Sequence, residues 1–375
     1  MVRELFLELF LKELKLHNFR IFQSLKLKFT EKLVIILGKN GSGKTTILEA
    51  ISVLQGGSGL RRAKNEELKR NLKENYTSFG SFSNKDDEFI AGTGIIKEKR
   101  IHKLNLKTVK KPSQLKKIIP IFFLTPKIEN LFLEGASEKR DYFDDIVAQF
   151  IVEHEEYLNQ HKNLRRNRIK VLQTRNNDVI WLKNIEKELS NLDVIILINR
   201  LEIIKKVIET QGYFANKNLF YEFNISLIDE NFASLEKLIE QKPAIELEEI
   251  FQSKYLENRA RDKESNRSNF GSHLSNFIVE NLNNGKVAEI CSTGEQKTIM
   301  MGITFCSLIA YQNRFGIKPI LLLDEVFSHL DENRKTLLLD IINEISAHTF
   351  LTATNIKSMG EYFDMLRTGV QFVRV

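Results

Sequence analysis

Apolar residues along this chain follow two different rhythms. Leu33-Val34-Ile35-Ile36-Leu37 is an unbroken apolar, β-branched run, the pattern of a strand buried on both faces. Gly38-Lys39-Asn40-Gly41-Ser42-Gly43-Lys44-Thr45 follows, and then Thr46-Ile47-Leu48-Glu49-Ala50-Ile51, whose apolar spacing is helical. Strand, glycine-rich turn and helix are predicted in that order. A second buried run, Ile320-Leu321-Leu322-Leu323, ends in Asp324 and Glu325. From about Glu138 to Glu209 the rhythm changes. Phe150 to Leu158, Trp181 to Glu186 and Val194 to Val207 carry apolar residues three and four apart amid charge, as on helices with one buried face. No proline interrupts the chain from Lys127 to Lys242.

The first turn fits G-x-x-x-x-G-K-[ST], a loop whose backbone N–H groups surround phosphates. Glycine there lets the backbone approach the anion, and the helix N-terminus adds unpaired N–H groups. Gly38, Lys39, Asn40, Gly41, Ser42, Gly43, Lys44, Thr45 and Thr46 are therefore the expected ATP contacts. Lys44 would reach the β- and γ-phosphates, and the Thr45 hydroxyl would bind Mg²⁺. Asp324 and Glu325 fall at the C-terminal edge of a strand, where open α/β sheets bind ligands. Asp324 would orient Mg²⁺, and Glu325 would polarise the attacking water. An empty glycine turn, or an Asp-Glu pair that merely caps a turn, explains either motif alone but not both together.

Most of the chain lies between Thr45 and Ile320, more than a compact phosphate-loop domain requires. With 375 residues, 42% of them hydrophobic, there is material for two or three cores. The expected division is an α/β head split into residues 1–137 and 210–375, with a helical lobe at 138–209. The lobe is too short for long coiled-coil arms.

The net charge is +7, and basic residues cluster. Arg61 and Arg62 follow the first helix; Lys97, Lys99, Arg100 and the Lys110–Lys117 stretch come next; Lys162, Arg165, Arg166, Arg168 and Lys170 share the lobe. Arg61, Arg62, Arg165 and Arg166 are the candidate DNA contacts, against the alternative that charge runs are solvated helix faces. No zinc spacing or base-reading motif occurs, so any contact should be with phosphates. Cys291 and Cys306 lack metal-ligand neighbours and suit a reducing compartment. Glu4, Glu8 and Glu13 break the N-terminal apolar stretch, and Ile299 to Ala310 is too short to span a bilayer, so a soluble, cytoplasmic protein is expected.

Further segments carry a resemblance. Ser292-Thr293-Gly294-Glu295-Gln296 fits the S-x-G-x-Q element of ABC-type ATPases, although Ser292 as a helix N-cap is a compatible local reading. Leu14-Lys15-Leu16-His17-Asn18-Phe19-Arg20, Gly59-Leu60-Arg61-Arg62-Ala63, Leu124-Thr125-Pro126, Gly135 to Asp144, Arg166-Asn167 and Asp324-Glu325-Val326-Phe327-Ser328-His329-Leu330-Asp331 complete it. Together they resemble the RecF family of the ABC/SMC ATPase superfamily, over nearly the whole chain. The resemblance implies an ABC-type head and a weak ATPase that dimerises head to head on ATP, binds DNA at gaps or junctions, and works with RecR and RecO to load recombinase. It implies that Ser292, Gly294 and Gln296 cap the partner's γ-phosphate, that Asp331 crosses the dimer axis, and that Arg20 touches nucleotide.

Four places depart from the family pattern. Gly271-Ser272-His273-Leu274-Ser275-Asn276 replaces G-x-H-R-x-D, and Lys127 replaces Gln or Glu. Thr352-Ala353-Thr354-Asn355 replaces a T-G-T-D-like switch, and no switch histidine occurs, though His348 lies just before that strand. A transporter ATPase would lack the helical insert, and a break-repair ATPase would need long arms. An overcoming-lysogeny-type nuclease would need more acid than Glu344, Glu361 and Asp364 after Asp340. A DNA-binding clamp with a weakened or inactive ATPase is the remaining alternative.

Overall fold

The computed structural model describes residues 7–57, 59–71, 75–84, 87–96, 98–174, 179–215, 217, 219–355 and 369–375. Glu4, Lys97, Glu361 and Asp364, which figured above, fall outside them. The chain forms two units, one of Met1–Asn130, Thr210–Tyr221 and Thr293–Val375, the other of Leu131–Glu209 and Glu222–Ser292.

The first unit is built on a five-stranded parallel sheet in the order Val370–Arg374, Leu33–Leu37, His348–Ala353, Ile320–Asp324, Ile121–Leu124. Every residue of the three central strands is buried; Leu33–Leu37 and Ile320–Leu323 therefore read as apolar runs, whereas His348–Ala353 also buries His348, Thr349 and Thr352. The register sets Leu37 beside Ala353 and Asp324 beside Thr352, so the C-terminal strand ends stand level. The helix Lys44–Ser52 starts from that edge. It is buried almost all round, because a six-stranded antiparallel sheet shares its core. That second sheet runs Phe22–Lys28, Phe10–Phe19, Thr77–Ser83, Glu88–Ile96, Lys99–Leu104, Lys107–Thr108. Leu11, Leu14 and Phe82 from it meet Ile47, Leu48 and Ile51 of the helix, and Val34, Leu322 and Phe350 of the parallel sheet.

The second unit holds the helices Ala136–Phe150, His154–Gln173, Val179–Glu209, Ala244–Glu257 and Arg259–Ser265, with a three-stranded antiparallel sheet of Phe223–Ile228, Asn276–Asn281 and Lys286–Val287. It extends beyond the expected lobe, because Glu222–Ser292 belongs to it and not to the head. Buried polar bonds explain the difference. Arg168, fully buried, donates to Glu186 (2.9 Å), to the Asp262 carboxylate and to the Tyr255 carbonyl (2.8 Å). Arg200 grips Asp144 through two nitrogens (2.8 and 2.7 Å) and donates to the Ser272 carbonyl (2.7 Å) and Ser275 Oγ (2.8 Å). Asp193 accepts from Tyr255 Oη and Ser272 N, both at 2.6 Å. The departing Gly271–Asn276 segment is thus held mainly by its backbone, which tolerates the missing Arg and Asp.

Candidate functional site

The loop glycines have separate reasons. Gly41 and Gly43 adopt positive φ (82° and 107°), a region that favours glycine. At Gly43 a Cβ would also lie 2.6 Å from Ile21 Cδ1 and Phe22 Cζ. Those two side chains belong to the tight hairpin after Phe19, where Arg20 itself has φ 51°. Arg20 is committed at that turn: its Nε and Nη2 each donate to the fully buried Glu49 at 2.6 Å. The N-F-R segment therefore braces the phosphate-loop helix, which differs from the expected nucleotide contact.

Lys44 is 4% exposed, and its Nζ donates to the Gly38 (2.8 Å) and Lys39 (3.2 Å) carbonyls, with Glu325 at 3.8 Å. Thr45 Oγ1 donates to the Asp324 carboxylate at 2.9 and 3.0 Å. The sequence motifs, far apart in the chain, thus meet at one sheet edge. Thr352 joins them: its Oγ1 donates to Asp324 Oδ1 (2.8 Å) and accepts from Glu325 N (3.0 Å). Sequence reasoning saw Thr352 only as part of a departure, although a hydroxyl at the C-terminal end of a strand beside the acidic one was a usable signal. His348 stands at the opposite end of that strand. It is buried, accepts from Leu11 N through Nδ1 (3.1 Å) and stacks on Phe10, and burial pushes its pKa down to about 3. It is a core residue.

Ile121–Leu124 leads into a second acidic position. Lys127 is exposed, whereas Glu129 is buried with Lys297 at 3.3 Å. Burial raises the Glu129 pKa, Lys297 opposes that rise, and the Asp324 charge adds to it.

Glycine loop, lysine and helix N-terminus suit a polyphosphate. The Thr45 hydroxyl and Asp324 carboxylate are hard oxygen donors of the kind Mg²⁺ takes together with water and phosphate oxygens. These residues fit MgATP. Among the described residues no three His, Cys, Asp or Glu side chains gather as a closed metal site.

The remaining candidates are dispersed. Ser292 and Gly294 are exposed at the start of the helix Thr293–Phe315, while Gln296 is buried within it. Asp331 caps the helix Glu332–Ile345 by accepting from Arg334 N at 2.9 Å. Arg61 lies 3.8 Å from Glu49, Arg62 and Arg166 are exposed, and Arg165 is half-buried. Arg168, grouped with the basic run, is structural. Cys291 and Cys306 are buried thiols that form no disulfide. No described helix is long and apolar enough to cross a membrane.

Known proteins share this fold and much of this sequence. The family model for the RecF/RecN/SMC N terminal domain matches residues 10–373. The chain is 32% identical to the DNA replication and repair protein RecF of Rickettsia typhi, covering 94% of this chain and 97% of that one. It is 31% identical to the RecF of Agrobacterium fabrum, covering 96% and 98%. A solved structure of the recombination mediator protein RecF-ATPrS in the RecFOR pathway superposes with TM-score 0.83 at 22% identity, covering 95% of both chains, and shows the same fold. The phosphate-loop head described above is thus that of the ABC/SMC superfamily, and this chain belongs to the RecF family.

Proposed function

We propose that this chain is an ATP-dependent DNA-binding protein of replication and recombinational repair, a slow ATPase that dimerises on ATP. The convergence of Lys44, Thr45, Asp324 and Glu325 on one sheet edge carries the reading. Lys44 exchanges its two neutral carbonyl acceptors for phosphate oxygens, which attract its charge more strongly. Thr45 and Asp324 would hold Mg²⁺, which would neutralise charge on the phosphates. Glu325, 41% exposed, orients the attacking water and accepts its proton.

Ser292 and Gly294, both exposed, are the parts of the signature element that one protomer presents to its partner's γ-phosphate. Gln296, being buried, supports their helix from within. Asp331 caps its helix through Oδ1 and has Arg334 Nε 3.6 Å from Oδ2, and its exposed side chain would face the dimer axis. DNA is held through phosphates by Arg61, Arg62, Arg165 and Arg166 in the ATP state, at gaps or junctions. RecR and RecO are the partners with which it would place recombinase. Light scattering of Glu325→Gln with and without ATP tests the reading. An ATP-dependent doubling of mass is expected, and a monomer at saturating ATP overturns it.

A further inference from the structure

The strand His348–Ala353 lies between the phosphate-loop strand and the acidic strand, so its C-terminal end is the nearest backbone to both. A side chain there can act on both at once. Thr352 is at that end, 1% exposed and directly opposite Asp324 in the ladder. A hydroxyl has one proton to give and two lone pairs to receive with. Thr352 gives its proton to Asp324 Oδ1 and receives the Glu325 backbone N–H. One oxygen atom therefore touches both acidic residues, the first through its carboxylate and the second through its main chain.

The second contact matters because of the conformation of Glu325. Its φ is 55°, in the left-handed region that a long side chain rarely adopts. A residue in that region persists where its surroundings over-determine it, and such residues gather at functional sites. Here the constraint is a hydrogen bond to its own N–H at the start of the turn Val326–His329. The other threonine of the strand is otherwise engaged: Thr349 Oγ1 shares a 2.6 Å hydrogen bond with Ser346 Oγ.

We propose that the Thr352 hydroxyl is a positioning residue for ATP hydrolysis, fixing Asp324 and the left-handed turn at Glu325 in one geometry. The inference rests on the nucleotide-site reading above. The side-chain hydrogen bonds of Thr352 go to Asp324 and Glu325, and not to the loop glycines or Lys44. Its loss should slow the chemical step and leave nucleotide capture largely intact, the signature of a group that holds catalytic geometry rather than substrate.

The test uses the full chain, with ATP affinity measured by calorimetry and steady-state hydrolysis measured with Mg²⁺ and DNA present. Thr352→Val keeps the shape and removes the hydroxyl; Thr352→Ser keeps the hydroxyl and removes the methyl. The valine variant should bind ATP within about threefold of wild type while kcat falls about 10- to 100-fold. The serine variant should recover most of that loss. Wild-type kcat in the valine variant overturns the proposal. So does a serine variant as slow as the valine one, since shape and not the hydroxyl would then be responsible. A valine variant that loses ATP affinity along with kcat also overturns it, because the residue would then merely support the loop. Failure of the underlying reading looks different. Lys44→Met would keep its ATP affinity, or wild type itself would show no turnover, and both readings then fall together.

Discussion

Replacing Arg168 by methionine should destabilise the helical unit without altering DNA affinity, although the residue sits in the most basic stretch of that unit. Arg168 is 0% exposed and places three nitrogens on Glu186, Asp262 and the Tyr255 carbonyl. Its planar group also lies 5.0 Å from the Tyr255 ring centre. Glu186 keeps Arg259 when Arg168 is lost. Asp262, itself fully buried, keeps only Asn269 on its Oδ1 and loses the cation on its Oδ2. Removing one partner of a buried pair costs about 3–5 kcal/mol. For a unit of this size each kcal/mol moves Tm by about 2–4 °C, so a fall of about 10 °C is expected by scanning calorimetry. Adding Asp262→Leu should restore most of it, because the uncompensated charge disappears. Fluorescence anisotropy across a salt series should show the wild-type slope for Arg168→Met below its Tm, and a shallower slope when Arg165 and Arg166 are neutralised. A Tm within 2 °C of wild type, by the scale of that same estimate, would refute the argument. So would a double variant no more stable than the single one.

Three further outcomes are expected. Lys44→Met should abolish ATP binding by calorimetry, because no neutral side chain supplies the charge for the phosphates; retained affinity would remove the phosphate-loop assignment. Ser292→Arg should bind ATP normally as a monomer yet scatter light as a monomer with ATP, since bulk and charge would meet the partner; normal dimers would exclude the trans role. Acid should destabilise the first unit through His348 and His102, held by burial at about 3 and about 4. Both stay neutral in the fold while the unfolded chain protonates them near 6.5, so stability is full above pH 6.5 and falls as pH drops towards 4. Each contributes a slope of about 1.4 kcal/mol per pH unit, and His348→Phe should flatten the acid limb of a urea-midpoint series; an unchanged limb refutes this.

Two central strands of the parallel sheet, Leu33–Leu37 and Ile320–Asp324, and the phosphate loop are legible because strands buried on both faces read as continuous apolar runs and because positive φ at Gly41 and Gly43 favours glycine. His348–Ala353 is not, because His348, Thr349 and Thr352 break its run. Nor is the antiparallel sheet. Thr77-Ser78-Phe79-Gly80-Ser81-Phe82-Ser83 alternates burial, yet it buries Ser78 and Gly80 beside Phe82, so polarity alone gives no period-two signal. The helical unit was assigned too short because its closing partners, Tyr255, Asp262 and Ser272, lie beyond a return of the chain through Thr210–Tyr221. Arg168 was hidden for a related reason: a buried arginine and a solvated one look alike until their acids are located. Thr352 was passed over because one hydroxyl carries no pattern. Glu129 is not legible from the sequence, where Lys127 stands out only as a departure, since which of the two turns inward depends on the short helix Pro126–Glu129.

The phosphate-loop strand lies between His348–Ala353 and Val370–Arg374, both made more than 300 residues after it. At about 5–20 residues per second, Leu33–Leu37 emerges from the ribosome roughly 15–60 s before either neighbour exists. For that interval a five-residue, proline-free apolar segment has both edges open, the composition that pairs with other chains. An unpaired strand of this kind is an aggregation hazard for as long as the rest of the sheet is still being made. A ribosome that stalls or a message that ends before Val370 leaves every residue of the phosphate loop in place and no complete sheet to hold it.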